Sequence, residues 1–318
     1  MERTNRVLLV QYSQTGSTAR LADSFCAPLC DHPAIQVDKV ALRPAPPYEF
    51  PWSFFSFFDA FPETVQLRAP ALEPMPLEPD TRYDLVILAY PVWFLSPAPP
   101  MTAFLTSGAG RRVLADTPVI TLIACRNMWL RAHETVSGLL QQAQAMHCDN
   151  VVVTDPGPSL ATFVTTPRWM LTGRKDRFLG MPPAGISEAD IAAAARFGRA
   201  IARAFEQDEV NGAGPLLSGL RAVTVNDALL ANERIGHRSF RIWSRLIRRF
   251  GEPGAPARRA VLVVYCVFLT LMILTVVPPS LAIRAVLRRL RPDVGAATRK
   301  QYAAPSGDGD ERMGQFAS

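Results

Sequence analysis

Residues 83–89, YDLVILA, constrain this chain more than any other stretch, because five apolar residues follow one another without a polar break. A strand with no alternation has no face to show to water and must be covered on both sides, as in a parallel sheet flanked by helices. Similar β-rich runs recur at 6–12 (RVLLVQY), 35–41, 119–124 and 151–154. Helix-like stretches separate them. In 17–29, Ala19, Leu21, Ala22, Phe25 and Leu29 fall at helical spacing; others lie at about 132–146 and 187–206. Ser187 with Asp190 three residues on gives the last of these a capping-box-like start. Strands alternating with helices predict an α/β domain built on a parallel sheet.

Length and composition narrow the class. With 318 residues, 48% of them apolar, the chain can bury a core and is not wholly disordered. Five cysteines with no CxxC pair argue against a disulfide scaffold and a structural zinc site, and no metal is expected. The N-terminus has no basic start leading into an apolar run and a small-residue cleavage site, so the body is expected in the cytoplasm. Charge is divided unevenly. Residues 1–230 carry 19 Lys and Arg against 22 Asp and Glu, whereas 231–318 carry 15 basic and 6 acidic residues. A body at −3 is not that of a nucleic-acid binder, and no nucleic-acid partner is expected.

The basic part surrounds a greasy one. Residues 260–277, AVLVVYCVFLTLMILTVV, hold no charge, and as a helix would span about 27 Å, near the minimum for a bilayer core. Pro278 and Pro279 interrupt it, and arginines flank both sides, so a single span and a re-entrant or interfacial hairpin both fit. Before it, Ile235, Phe240, Trp243, Leu246, Ile247 and Phe250 recur at helical spacing among Arg238, Arg241, Arg245, Arg248 and Arg249. A cationic amphipathic helix of this kind either lies on an anionic membrane face or docks on the body. The expected division is a body over 1–210, a linker and basic helix over 211–259, a membrane-associated segment over 260–292, and a disordered tail over 293–318.

Two insertions interrupt the alternation. Residues 44–80 are Pro-rich and carry YEFPWSFFSFFDAF; residues 155–185 contain Pro, Gly and a GRKDR patch. Long irregular connections are usually functional or disordered, and the first is too apolar to be disordered. It packs as a loop on the body, covers a hydrophobic substrate, or dips into lipid.

The chemistry falls at the strand ends. After the first strand stand Ser13, Gln14, Thr15, Gly16, Ser17 and Thr18, followed by a helix. Hydroxyls and a glycine at such a turn present O–H and N–H donors to an anion, aided by the helix N-terminus, and suit a phosphate monoester. Neither the P-loop lysine nor a GxGxxG turn is present. YSQTGST closely resembles the phosphate loop of flavodoxin-like proteins. The third strand continues as AYPVWFLSPAPPMTAFL, similar to that family's Pro-x-Trp turn. The resemblance covers about 210 residues. It implies a flavodoxin-like, doubly wound, five-stranded parallel sheet in the order 2-1-3-4-5, with FMN at the switch point. On that reading Ser13, Thr15, Gly16, Ser17 and Thr18 hold the phosphate, with Gln14 on the loop, and Tyr90, Pro91, Val92, Trp93 and Phe94 meet the isoalloxazine. Arg126 and Asn127, in ACRNMW after the fourth strand, meet the flavin's polar edge, although the usual Gly-rich turn is missing there.

A narrower resemblance rests on the same loops, RNMW, TPRWMLTGRKD at 166–176 and the apolar C-terminal segment. Together they look like the dialkylresorcinol condensing enzyme group. That resemblance implies a membrane-associated, FMN-dependent oxidoreductase on the cytoplasmic face of the inner membrane. Its substrate would be a lipophilic ring, such as a dialkyl cyclohexanedione aromatised to a dialkylresorcinol, with a ketosynthase partner. An NAD(P)H-dependent quinone reductase and a non-catalytic electron carrier are the alternatives, and a homodimer is compatible with all three. No acid–base constellation stands out; His133 on the helix after the third loop is the one catalytic candidate.

Overall fold

The computed structural model describes residues 4–78, 81–210, 214–276, 279 and 296–316. In chain order, β1 (Asn5–Gln11) leads through α1 (Ser17–Cys30) to β2 (Ile35–Ala41). An excursion follows, in which the two-residue strands β3 (Pro44–Ala45) and β4 (Ala71–Leu72) pair antiparallel around the short helices α2 (Phe54–Asp59) and α3 (Phe61–Val65). The chain returns as β5 (Leu85–Trp93), folds back as β6 (Ser96–Pro97), and passes through α4 (Pro99–Thr106), α5 (Gly108–Leu114), β7 (Pro118–Cys125) and α6 (Leu130–Gln142) to β8 (Met146–Thr154). Helices α7 (Ser159–Thr172), α8 (Glu188–Ala193), α9 (Ala195–Glu206), α10 (Asp227–Arg248), α11 (Pro256–Thr275) and α12 (Ala296–Ala303) complete it, with a closing 3-10 turn at Met313–Phe316.

The five long strands are parallel and lie in the order β2-β1-β5-β7-β8. Counting long strands alone this is 2-1-3-4-5, the flavodoxin-like doubly wound sheet. The connection from β1 runs one way along the sheet and that from β5 the other. Right-handed crossovers therefore put α1 and α4–α6 on opposite faces. Val7–Val10 and Leu85–Tyr90 have no exposed surface, as continuous apolar strands between two helical layers require.

Several boundaries move. The fifth strand begins at Met146, not 151, and a register shift at Val119/Ile120 leaves Cys148 as one extra residue on β8. The helix expected at 132–146 runs Leu130–Gln142, leaving Met146 to the strand. The expected 187–206 helix is two, α8 and α9, with the Ser187 hydroxyl accepting the Asp190 amide at 3.0 Å as the capping pattern predicts. The 155–185 insertion contains a full helix, α7, despite its Pro and Gly content.

The tail is corrected outright. Instead of being disordered, its described part, 296–316, packs on the body: Tyr302, Ala303, Ser306 and Phe316 are buried. Asp149 is the anchor. Its carboxylate accepts the Ser306 hydroxyl (2.7 Å) and the amides of Leu216 (2.8 Å) and Leu217 (3.2 Å). Residues expected to be linker likewise cover the sheet edge, where the Val152 amide donates to the Ala222 carbonyl at 2.8 Å. Low-complexity polar sequence concealed these contacts because a few buried groups, not a periodic apolar face, fix the segment.

Candidate functional site

Parallel strands bring the turns after β1, β5 and β7 to one sheet edge, with the turn after β1 next to that after β5. Gly16 occupies the N-cap of α1 at φ +82°, a left-handed conformation that glycine adopts without strain. A Cβ built there would meet nothing within 4 Å, so the turn opens outward. No side chain caps α1, which leaves first-turn amides available to an outside acceptor. The Ser13 hydroxyl is buried and has no hydrogen-bond partner among the described residues. Thr15 and Ser17 are half-buried and Thr18 is buried. Gln14 faces sideways: it accepts from the Tyr12 hydroxyl and donates to the carbonyls of Tyr48 (3.1 Å) and Glu49 (2.8 Å), tying the turn to the 44–80 excursion.

The second turn is aromatic and strained. Val92 pairs with Pro97 and Trp93 with Ser96, leaving Phe94 (φ +48°) and Leu95 (φ +62°) as the two central residues. Two positive φ values in succession usually call for Asn-Gly; bulky residues there cost about 1–3 kcal/mol each. Packing offsets the cost. Leu95 is buried, and Phe94 lies 5.2 Å from both Phe57 and Phe61. Trp93 meets the edges of Tyr12 (5.8 Å), Tyr48 (5.1 Å) and Trp52 (5.4 Å). Tyr90 is fully buried beneath the turn with its hydroxyl unpartnered, and Pro91 and Val92 are half-buried.

The third turn carries a desolvated cation. Arg126 stacks over Phe163 of α7 at 4.3 Å and contacts Asn127 through Nε at 3.4 Å. Burial pulls its pKa below the ordinary arginine value. The carboxylate that acts on it, Asp155, has its two oxygens engaged by the amides of Gly157 and Gly185, each at 2.7 Å. Met128, at φ +51°, gives this turn a left-handed residue as well. Burial pushes the Cys125 thiol far up, which removes thiolate character.

His133 stands apart from these turns. It is buried on α6, its ring 5.8 Å from Trp129 and 5.5 Å from His147, with Nδ1 unpartnered. Burial, helped by His147, pulls its pKa down to about 3, so the ring is neutral. Among the described residues, no three His, Cys, Asp or Glu side chains are grouped as a metal site requires.

Sequence reasoning named Trp52 but gave it no role, and it missed Tyr12, Tyr48 and Phe163. The two insertions meet beside the turns, where the Trp52 amide donates to the Met170 carbonyl (2.9 Å) and Phe50 faces Trp169. Only the aromatic density of 44–61 signalled this roof.

Among solved structures, a flavoprotein from Lactobacillus acidophilus in complex with FMN is similar over 46% of this chain and 93% of its own, at 14% identity and a TM-score of 0.37. Oxidised flavodoxin 1 from Bacillus cereus is similar over 61% of this chain and 95% of its own, at 12% identity and a TM-score of 0.34. A flavone reductase is similar over 70% of this chain and 67% of its own, at 14% identity and a TM-score of 0.35. No protein-family model matches the chain, and no curated protein matches it.

Proposed function

We propose that this chain is a flavoprotein, an FMN-dependent oxidoreductase whose substrate is a lipophilic ring. The observation that carries the reading is the turn after β1. A buried, unpartnered Ser13 hydroxyl, an uncapped helix start and an open left-handed Gly16 stand together at the switch point of a doubly wound sheet. Those groups fit a phosphate monoester, since the Ser13 hydroxyl and the uncapped amides of α1 supply donors and Gly16 leaves the turn open to it. Ser13, Thr15, Ser17, Thr18 and the first amides of α1 would hold the phosphate of FMN. Trp93 would bound one side of its ring system, and Arg126 and Asn127 its polar edge. A bound FMN supplies a two-electron acceptor or donor.

The chain's own residues then set the conditions. Tyr48, Trp52 and Phe57 keep water from the second turn. Arg126, stripped of solvent and short of a free carboxylate, favours negative charge developing beside it. The apolar roof favours a greasy ring, and the resemblance to the dialkylresorcinol group makes a dialkyl cyclohexanedione the first substrate to try. Aromatisation removes two hydrogens from it and leaves the resorcinol.

Titrating the purified full chain with FMN tests the cofactor. Ser13→Ala should weaken binding about tenfold, one charge-assisted hydrogen bond; a chain that takes up no FMN overturns the reading. Loaded protein is then given the dione anaerobically, or NADPH with a quinone. Bleaching by the dione supports the aromatase, whereas turnover with NADPH and quinone alone replaces it with a quinone reductase.

A further inference from the structure

Helices α10 and α11 form an antiparallel hairpin against the aromatic excursion. Phe61 stacks on Tyr265 (centroids 4.5 Å, planes 7° apart), and Trp243 touches both Tyr265 and Phe268. Near its turn, Arg258 is fully buried between Asp59 and Glu63, donating to a Glu63 oxygen at 2.9 Å and to the Asp59 carbonyl at 2.8 Å. The Gly254 amide donates to the Asp59 carboxylate at 2.6 Å. The hairpin is thus locked to α2 and α3.

Among the described residues, none covers its outer surface. On α11, Val263, Val264, Val267, Leu271 and Leu274 are 46–68% exposed. On α10 and in the turn after it, exposed Ile242, Leu246 and Phe250 alternate with exposed Arg241, Arg245 and Arg249. At the start of α11, Arg259 lies over the ring of exposed Phe55 at 5.9 Å. Residues 231–276 contain eight arginines and two acids, Glu233 and Glu252.

We propose that this hairpin docks the protein on an anionic lipid surface, with both helices in the plane of the membrane. An apolar face beside interleaved arginines matches the acyl boundary beneath a layer of phosphates. A second copy is a poor occupant, because a self-complementary contact would bring arginine against arginine. An upright crossing is a poor geometry. Trp243 of α10 packs on Tyr265 and Phe268, midway along α11, so standing α11 across the bilayer carries the neighbouring Arg241 and Arg245 into hydrocarbon. Lying flat leaves them at the phosphates. This surface is independent of the flavin reading, and its test uses no cofactor.

The full chain is floated with vesicles of phosphatidylcholine alone and with phosphatidylglycerol added. Docking gives flotation with the anionic vesicles, at least tenfold weaker with neutral ones and at least tenfold weaker for R241E/R245E/R249E, whose thermal melt confirms its fold. Depth is read from a fluorescent amino acid placed at Val264 or, separately, at Leu271, with spin-labelled lipids as quenchers. In-plane helices put both positions at one depth. A difference of about 10 Å means an upright helix and overturns the proposal. So does equal flotation with both vesicle types, or a soluble dimer that does not float.

Discussion

Helices α9 and α11 are both rich in apolar residues, yet one is inside the protein and the other on its surface. Helix α9 lies on α1, with Phe197 stacked on Phe25 at 5.8 Å, and its apolar residues are buried. Helix α11 buries Arg258, Leu262 and Tyr265, half-buries Val261, Cys266, Phe268 and Leu269, and leaves Val263, Val264, Val267, Leu271 and Leu274 outward. The difference lies in the faces. Arginines on α9 occupy the side away from α1, so one stripe can satisfy the core. Helix α11 is apolar all round, and a hairpin partner can cover only one side of it. The first helix completes a fold; the second keeps an apolar side that no described residue covers.

Substitutions can break that contrast, and the largest effect is expected on the α1–α9 side. A Cβ at Gly198 would lie 2.1 Å from the Phe25 carbonyl oxygen. Gly198→Leu should therefore force the two helices apart and abolish cooperative unfolding in urea. Next comes Arg258→Leu, which strands Asp59 and Glu63 beside a buried seam and should cost about 3–5 kcal/mol. Differential scanning calorimetry would show it as an early transition of the hairpin, with the sheet melting unchanged.

A smaller effect depends on pH. Glu233, on the inner side of α10, accepts the Arg131 amide at 2.6 Å, and burial raises its pKa to about 7. Its folded value lies above the unfolded one, near 4.3, so the folded state holds the proton more tightly and stability falls as pH rises from about 4 to 7. Glu233→Gln should thus melt higher than the parent at pH 8 by a few degrees, and nearly with it at pH 4.5. His133 and His147, whose pKa values are lowered, act in the opposite direction below pH 6.5; the informative quantity is the gap between variant and parent. Smallest of all, Val267→Ser on the outer face should alter stability by less than about 0.5 kcal/mol while visibly reducing vesicle flotation. A large loss of stability there would mean that the face is covered in solution.

Much of the sheet was legible in advance. The five strands follow from continuous apolar runs, because a strand covered on both faces leaves few alternatives, and their order was what the resemblance of the turn after β1 implied. The hydroxyl turn was legible for the same reason: Ser13 to Thr18 are consecutive, and local geometry places them. The roof was not. Trp52 reaches Trp93 across some forty residues, and Phe163 reaches Arg126 from a segment read as irregular. Amphipathic spacing on α10 also misled in part. Phe240, Trp243 and Ile247 turn inward, but Leu246 and Phe250, placed on the same stripe, are exposed.

By itself, then, the sequence determined the parallel sheet, the turn at its first strand and the presence of an uncharged helix, since each depends on residues adjacent in the chain. Tertiary structure decided what lies over the turns, that the tail is fastened through Ser306 to Asp149, and which side of α11 faces out. Those outcomes depend on which distant surfaces meet and exclude water, and residue spacing carries no record of that.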